Sequence, residues 1–496
     1  MQTRIRGHMV RVIAAGLCWS LTLSAFDTGH HRDMTWNALK REGFTEDAAL
    51  TVILQNWLTD YYAVFDSPNY NLVGFPGQIG TQLVYLHFDN LPSSVEIKHY
   101  WAALVNATAY QIWTRLDAKN PDPLEILTIL GISLHAVQDF YSHSRWVEAI
   151  PDAGPGAYNV VTWFDYQNAG STSIDSELET GIWPDNPATA GRNHADLNHD
   201  SYSRPRWDKA YVAAYVASRQ WIRGFQQFVE NIKPGFWANC VKGARPKYDP
   251  IPDLDTGLGF SFVLSELAVP GHWKGPSNLP TIEAKAKALS LARAFNSDQL
   301  AFKDAFEQRQ LYFGLSYDVH NDPPLFNLPD TVAPPQFASL PLDERVVVLH
   351  CPLAIPISDP PPATWELYTN IAFHSGAGAT AMDQYFRDNL RYNMPVDSNA
   401  PYPWTTMQFV RTATQKIDIT WELWQEGALT PSDDLRYAIN GGSGTLSFSY
   451  FPATGTCSGD ATSCTQANPI LPSGSGDNAA RASIWLETRT LARVLP

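Results

Sequence analysis

The sequence predicts a mainly α-helical domain followed by a β-rich C-terminal domain, and three observations carry that expectation. Apolar residues recur at helical spacing before about residue 320, prolines crowd the stretch from about Pro323 to Pro362, and beyond it apolar and polar residues alternate in twos. With 496 residues, 44% hydrophobic and 12% aromatic, the chain can bury the cores of two or three domains.

The chain opens like an export leader. Arg4, Arg6 and Arg11 precede an apolar stretch from Val12 to Leu23, and Leu23-Ser24-Ala25 offers a small-residue cleavage site, so the mature protein is expected to begin at Phe26 and to be secreted or periplasmic. No later stretch holds the roughly 18 consecutive apolar residues of a membrane span. Beyond the leader lie Cys240, Cys351, Cys457 and Cys464, an even number that permits two disulfides in an exported chain, with Cys457 and Cys464 the nearest pair.

The helical part comes next. Thr45 can cap a run through Trp57. The run LGISLHAVQDFYSHS sets His135, Asp139 and His143 four residues apart in an apolar stretch. On a helix, at about 100° per residue, each such step drifts only about 40°, so the three side chains form one stripe with metal-site geometry. From Lys209 to Lys233, Tyr211, Tyr215, Ile222, Phe225 and Val229 share one face, and a further helical run spans roughly Ile282 to Leu315. Ile417, Ile419, Trp421 and Leu423 then alternate with Asp418, Thr420 and Glu422, as in a half-buried strand. Asn440-Gly441 suggests a hairpin turn, with TLSFSYF and SIWLETRTL as further strands. The expected organisation is a leader at 1–25, a helical domain at 26–320, a Pro-rich linker or seam at 321–362 and a β-rich domain at 363–496.

A formal charge of −15 without a long Lys/Arg run argues against bulk nucleic-acid binding. DTG occurs at Asp27-Thr28-Gly29 and Asp255-Thr256-Gly257, but the first copy has no strand ahead of it to build an aspartic-protease site. GxSxG, HExxH and GxxxxGK[ST] are absent.

Further metal-type residues surround the helix motif: His30 and His31 near the mature N-terminus, Asp60 in NWLTDYY, His87 in HFDN, and His194, His199 and Asp200 in NHADLNHD. Histidine with carboxylate is a donor set that zinc takes readily. Their order resembles the zinc-dependent phospholipase C and S1/P1 nuclease superfamily, most nearly the branch of secreted bacterial phospholipases C of the Pseudomonas and Legionella type and the fungal heterokaryon-incompatibility protein. The resemblance covers about residues 26 to 230.

That resemblance implies a helical fold holding two or three Zn2+ ions. Phe26 would bind through its α-amine and carbonyl where the family usually has Trp, and His31, with Met34, Thr35, Ala38 and Leu39 downstream, fits better than His30. Asp139 would bridge two ions; His87, His135 and Asp60 would hold the first, and Phe26 with His31 the second. Asp60 could also act as general base. A third ion would fall to His143, His194 and Asp200. Two spacings depart from the family: His143 follows Asp139 after four residues rather than six, and Asn198 stands where the family has Glu or Asp, leaving Asp200, His199 or Glu148 as substitutes.

The implied activity is zinc-dependent phospholipase C hydrolysis of lipids such as phosphatidylcholine at a membrane surface, with no obligate protein partner. The alternatives are an S1-like single-strand nuclease and a non-enzymatic interaction scaffold like the incompatibility protein. The β-rich module would then be a candidate for membrane docking.

Overall fold

The computed structural model describes residues 28–65, 84–183, 185–200, 202, 204–245, 328–354, 365–375, 382–394, 402–425, 435–436, 439–440, 443–471 and 481–496. The leader, Phe26 and the expected helix from Ile282 to Leu315 lie outside the described residues.

Helix α1 spans Thr28–Arg41 and α2 spans Glu46–Phe65. Thr45 caps α2, its hydroxyl accepting from Ala48 N at 3.4 Å, and the helix runs eight residues beyond the expected Trp57. A single 3₁₀ turn, Val84–His87, leads to α3, Ser94–Leu116, which Ser93 caps. The central helix α4, Pro123–Ser142, starts with Asp122 accepting from Leu124 N at 2.9 Å and with Pro at its first position, where a missing N–H costs nothing. Every α4 residue from Ile126 to Ser142 is buried, so its apolar residues need no single stripe. A Cβ at Gly131 would lie 2.5 Å from the Val52 carbonyl, so glycine there lets α4 cross α2 closely.

Short elements follow: α5, Trp146–Ala149; β1, Ala157–Asn159; α6, Trp163–Asn168, closed by a Thr162–Asp165 capping box; and α7, His194–Leu197. Helix α8, Trp207–Ile232, matches the expected run from Lys209 to Lys233 within two residues.

The C-terminal strands are β2 (Glu344–Ala354), β3 (Trp365–Ser375), β4 (Met382–Met394), β5 (Tyr402–Arg411), β6 (Ile417–Gln425), β7 (Leu435–Arg436), β8 (Leu446–Phe451), β9 (Thr456–Gly459), β10 (Arg481–Ala482) and β11 (Trp485–Ala492). In one sheet β2 pairs with β5 on one side and with β10 and β11 on the other. The second sheet runs β4-β3-β6-β8-β9, with β7 beside β6. Asn440 and Ser443 exchange backbone hydrogen bonds of 3.1 and 2.9 Å across the expected hairpin turn; Gly441 itself lies outside the described residues.

Side-chain alternation on β2 decides how the layers stack. Val346 and Val348, with Met407 and Phe409 of β5, join the helical core, and the Tyr215 ring stacks on Phe409 with centroids 3.5 Å apart. Val347, Leu349 and Cys351 face Ile371, Phe373, Ile419 and Trp421 of the second sheet. The result is helices on a sheet on a second sheet, with β2 buried on both faces as its VVVL run requires.

This places a strand inside the stretch read as a Pro-rich linker or seam over 321–362. Prolines crowd its ends, whereas the run between Pro341 and Pro352 is free of them and rich in β-branched residues, so it enters the sheet. β1 also binds the two parts, pairing in parallel with β11. Cys457 and Cys464 form a disulfide, while Cys240 and Cys351 are not disulfide-bonded.

Candidate metal centre

Two groups of buried His and Asp side chains lie side by side, joined by the segment His87–Asn90. The first gathers around Asp139 of α4. His31 Nε2 from the first turns of α1 lies 3.0 Å from Asp139 Oδ1, and on the other oxygen, Oδ2, His135 Nε2 stands at 3.0 Å and His87 Nδ1 at 2.9 Å. The His31 and His135 rings stack with centroids 4.2 Å apart, and His135 Nε2 stands 3.2 Å from His87 Nδ1.

The second group centres on Asp89, His143 and His194. His194 Nδ1 lies 2.9 Å from Asp89 Oδ2, His143 Nδ1 is 3.8 Å from Asp89 Oδ1, and His143 Nε2 is 3.1 Å from Asp200 Oδ1. Asn198 is no ligand substitute: its amide donates to Asp200 Oδ2, and its carbonyl accepts from Asp200 N at 2.9 Å.

His87 serves both groups. Its ring belongs to the first, while its backbone carbonyl accepts from His143 Nδ1 at 2.9 Å in the second. The chain reverses at once, with Phe88 at φ 51° and Asn90 at φ 61°, a region that bulky side chains seldom enter. Surrounding contacts hold the turn. The Phe88 ring packs against Tyr100 and Trp101 at 4.8 Å each, and the Asn90 amide exchanges hydrogen bonds with the Trp183 backbone. Gly181 lets this segment approach, since a Cβ there would sit 2.7 Å from His194 Cα.

His143 closes the helix motif. The helical stripe expected for His135, Asp139 and His143 breaks at its last member, because α4 ends at Ser142 and His143 is its C-cap at φ −109°, ψ 9°. There its ring meets Asp200 and stands beside Asp89 and His194, near the set expected for a third ion at His143, His194 and Asp200, while His135 and Asp139 belong to the first group.

The electrostatics suit a cation in each group. Burial alone would raise the Asp139 carboxyl, but the imidazoles of His135, His31 and His143 outweigh it and hold the acid well below the ordinary carboxylate range. Burial pushes His135 down to about 3 against the pull of Asp139, so this ring gives up a proton more readily than a free imidazole. At His143 burial pulls the other way but loses to Asp200, Asp139 and Asp89, which raise it well above the usual histidine value. The second group therefore attracts positive charge whatever carries it.

The donor set fits metal ions. His31, His135 and Asp139 can each offer one ligand atom within 4.8 Å of the others, and so can Asp89, His143 and His194. Among the described residues, His87 Nε2 and His194 Nε2 are buried without a hydrogen bond, a cost that a ligand at either atom would remove. Neutral imidazole with carboxylate is a set that zinc accepts.

Other residues singled out in the sequence fall elsewhere. The Asp60 side chain and Phe26 lie outside the described residues, although α1, which carries His31, begins two residues after Phe26. His30 packs its ring 4.9 Å from Trp207. His199 joins neither group, donating from Nδ1 to Pro205 O at 2.7 Å and pairing with Glu148 at 3.2 Å. Asp89 was absent from the expected set. Its signal was the carboxylate two residues after His87 in HFDN, but only the turn at Phe88 aims it at His194, 105 residues on.

No protein-family model matches the chain, and no curated protein matches it. Among solved structures the alpha toxin of Clostridium absonum is similar at 12% identity, over 85% of this chain and 98% of that chain, with a TM-score of 0.16. A score that low carries no argument about fold or chemistry, so the functional reading rests on the site.

Proposed function

We propose that the chain is an exported zinc-dependent phosphodiesterase of the phospholipase C type, acting on phospholipids such as phosphatidylcholine. The observation that supports it is the pair of adjacent buried His/Asp groups joined through His87. Neighbouring metal sites suit a phosphodiester, whose attacking and leaving oxygens both need charge stabilisation. Zinc, when bound, would lower the pKa of a water toward about 7 and offset phosphoryl charge.

The chain's own residues supply the rest. Asp139 holds the imidazoles of the first group in place, and Asp89, His143 and Asp200 form the cation-attracting second group that would let an acidic protein accept an anionic phosphate. Asp60, on α2, would accept the proton of the attacking water. The water oxygen bonds to phosphorus, the glycerol oxygen leaves and takes a proton, and diacylglycerol and phosphocholine result. His87 and Asp200 keep 8% and 6% of their surface exposed while His31, His135, Asp139 and His143 keep none, so substrate would approach from the His87 and Asp200 side. Cleavage after Ala25 would free the Phe26 amine to join the first group.

The test is phosphocholine release from phosphatidylcholine vesicles by the mature protein, with and without a zinc chelator and beside His135→Ala. Release lost in both controls is the expected result. A folded, zinc-loaded protein that releases none but degrades single-stranded nucleic acid would replace the lipid with a nucleotide substrate, and a folded protein that binds no zinc would leave the scaffold reading.

A further inference from the structure

Behind the first group lies a layer of buried amides and hydroxyls. Gln138 Oε1 accepts from His31 Nδ1 at 2.7 Å and from Asn56 Nδ2 at 3.0 Å, while Gln138 Nε2 donates to Thr35 Oγ1 at 2.9 Å and to Ser218 Oγ at 3.1 Å. Asn56 Nδ2 also donates to Thr35 Oγ1 at 3.1 Å, and Asn56 Oδ1 lies 3.3 Å from His135 Nδ1. All six residues are fully buried, so no solvent competes for these bonds.

The hydrogen-bond directions determine one another. Ser218 Oγ spends its hydrogen on Ala214 O at 2.8 Å, so it accepts from Gln138, and the face of that amide toward Ser218 must be its NH2. Gln138 Oε1 therefore faces His31, and His31 Nδ1 is the nitrogen that carries a proton. The same reasoning runs through Asn56: its NH2 serves Thr35 and Gln138, which leaves its carbonyl for a proton on His135 Nδ1. In each ring the other nitrogen, Nε2, then turns toward the Asp139 carboxylate.

We propose that Gln138 and Asn56 are positioning residues that lock His31 and His135 as Nδ1–H tautomers, so that both rings present Nε2 to the ion held at Asp139. This rests on the metal reading of the first group. A carbonyl behind a histidine ring both fixes the tautomer and strengthens the ligating nitrogen, and loss of such a partner typically costs about 10- to 100-fold in metal affinity. Histidines at these positions without the amides behind them would sample both tautomers, and only one of them can ligate through Nε2.

The test uses the full mature chain and has two readouts. Histidine 15N NMR of the metal-free protein should show a proton on Nδ1 of His31, assigned by the signal lost in His31→Gln. Titration with Co2+ should show Gln138→Leu about 10- to 100-fold weaker than wild type at the first site. Gln138→Glu, which keeps an acceptor opposite Nδ1 while the Thr35 and Ser218 hydroxyls can turn to donate, should restore both tautomer and affinity. A wild-type His31 without a proton on Nδ1, or a folded Gln138→Leu with unchanged Nδ1 protonation and affinity, would overturn the proposal. If Gln138→Leu does not fold, the wild-type tautomer and the affinity of Gln138→Glu decide alone. Wild-type protein that binds no Co2+ would sink the metal reading, whereas the tautomer measurement would still judge the role of Gln138.

Discussion

The two groups use the same side chains and are held by different means. His31, His135 and Asp139 stand on helices α1 and α4, and an amide layer fixes two of the rings from behind. Asp89, His143, His194 and Asp200 stand on a strained turn, a helix cap, a four-residue helix and a loop. Backbone bonds to one extended segment organise the second group: Gly181 O accepts from Asn90 N at 2.7 Å, Gly181 N donates to His143 O at 2.8 Å, and Ile182 O accepts from His194 N at 3.0 Å. Rigid helices pre-organise the first group, and pairing of distant loops pre-organises the second. A site built on loops is the more readily altered by evolution or by mutation.

The largest expected effect separates the groups outright. Asp139→Ala removes the carboxylate common to three imidazoles and should lower activity by more than the roughly 100-fold upper end seen when only an outer hydrogen-bond partner is lost. Elemental analysis of Asp89→Ala should instead show one metal equivalent lost and the first group still loaded. Loss of all metal in Asp89→Ala would mean that the two groups are one unit.

The β layer braces the first group through Glu344. Glu344 of β2, 2% exposed, forms an ion pair with Arg41, whose Nε lies 2.6 Å from it, and accepts from Arg219 and from Tyr215 Oη at 3.1 Å, so it clamps the C-terminal end of α1 to α8. Those helices carry His31 and Ser218. Glu344→Leu removes one of two carboxylates from each of two buried guanidinium groups, Arg41 keeping Asp343 and Arg219 keeping Glu42, and should cost about 1–3 kcal/mol in urea unfolding. Its residual metal affinity should fall at the first group before the second; equal loss at both would deny the bracing. Removing everything after about residue 330 is too blunt a probe of membrane docking, because Val346, Val348, Met407 and Phe409 belong to the helical core.

A smaller perturbation sharpens the other side. Gly181→Ala drives a Cβ to 2.7 Å from His194 Cα and 3.1 Å from Asp89 Oδ1, and should cost about 1–3 kcal/mol as overpacking does. Metal affinity should weaken at the second group alone. A variant with wild-type stability and affinity there would show that the close approach is not needed.

Much of the first group was legible because its spacing is local. His135 and Asp139 lie one helical turn apart in an apolar run, a pattern that specifies that helix without reference to the rest of the chain. The strands from Ile417, Leu446 and Trp485 were legible for the same reason, since a period of two is visible within a single segment. The strand inside 321–362 was hidden by the prolines at its ends, and Asp89 by a turn whose positive φ at Phe88 has no glycine to announce it.

The sequence by itself determined the helix that bears His135 and Asp139, the alternation of the C-terminal strands and the stock of metal-type side chains, because backbone period and side-chain chemistry are properties of neighbours. Only the tertiary structure decided that His143 leaves the stripe at a helix cap, that Asp89 meets His194, that Gln138 and Asn56 select which ring nitrogens face Asp139, and that β2 belongs to both cores. Each of these depends on groups 50 to 130 residues apart arriving within about 3 Å, a distance that packing sets and local spacing does not encode.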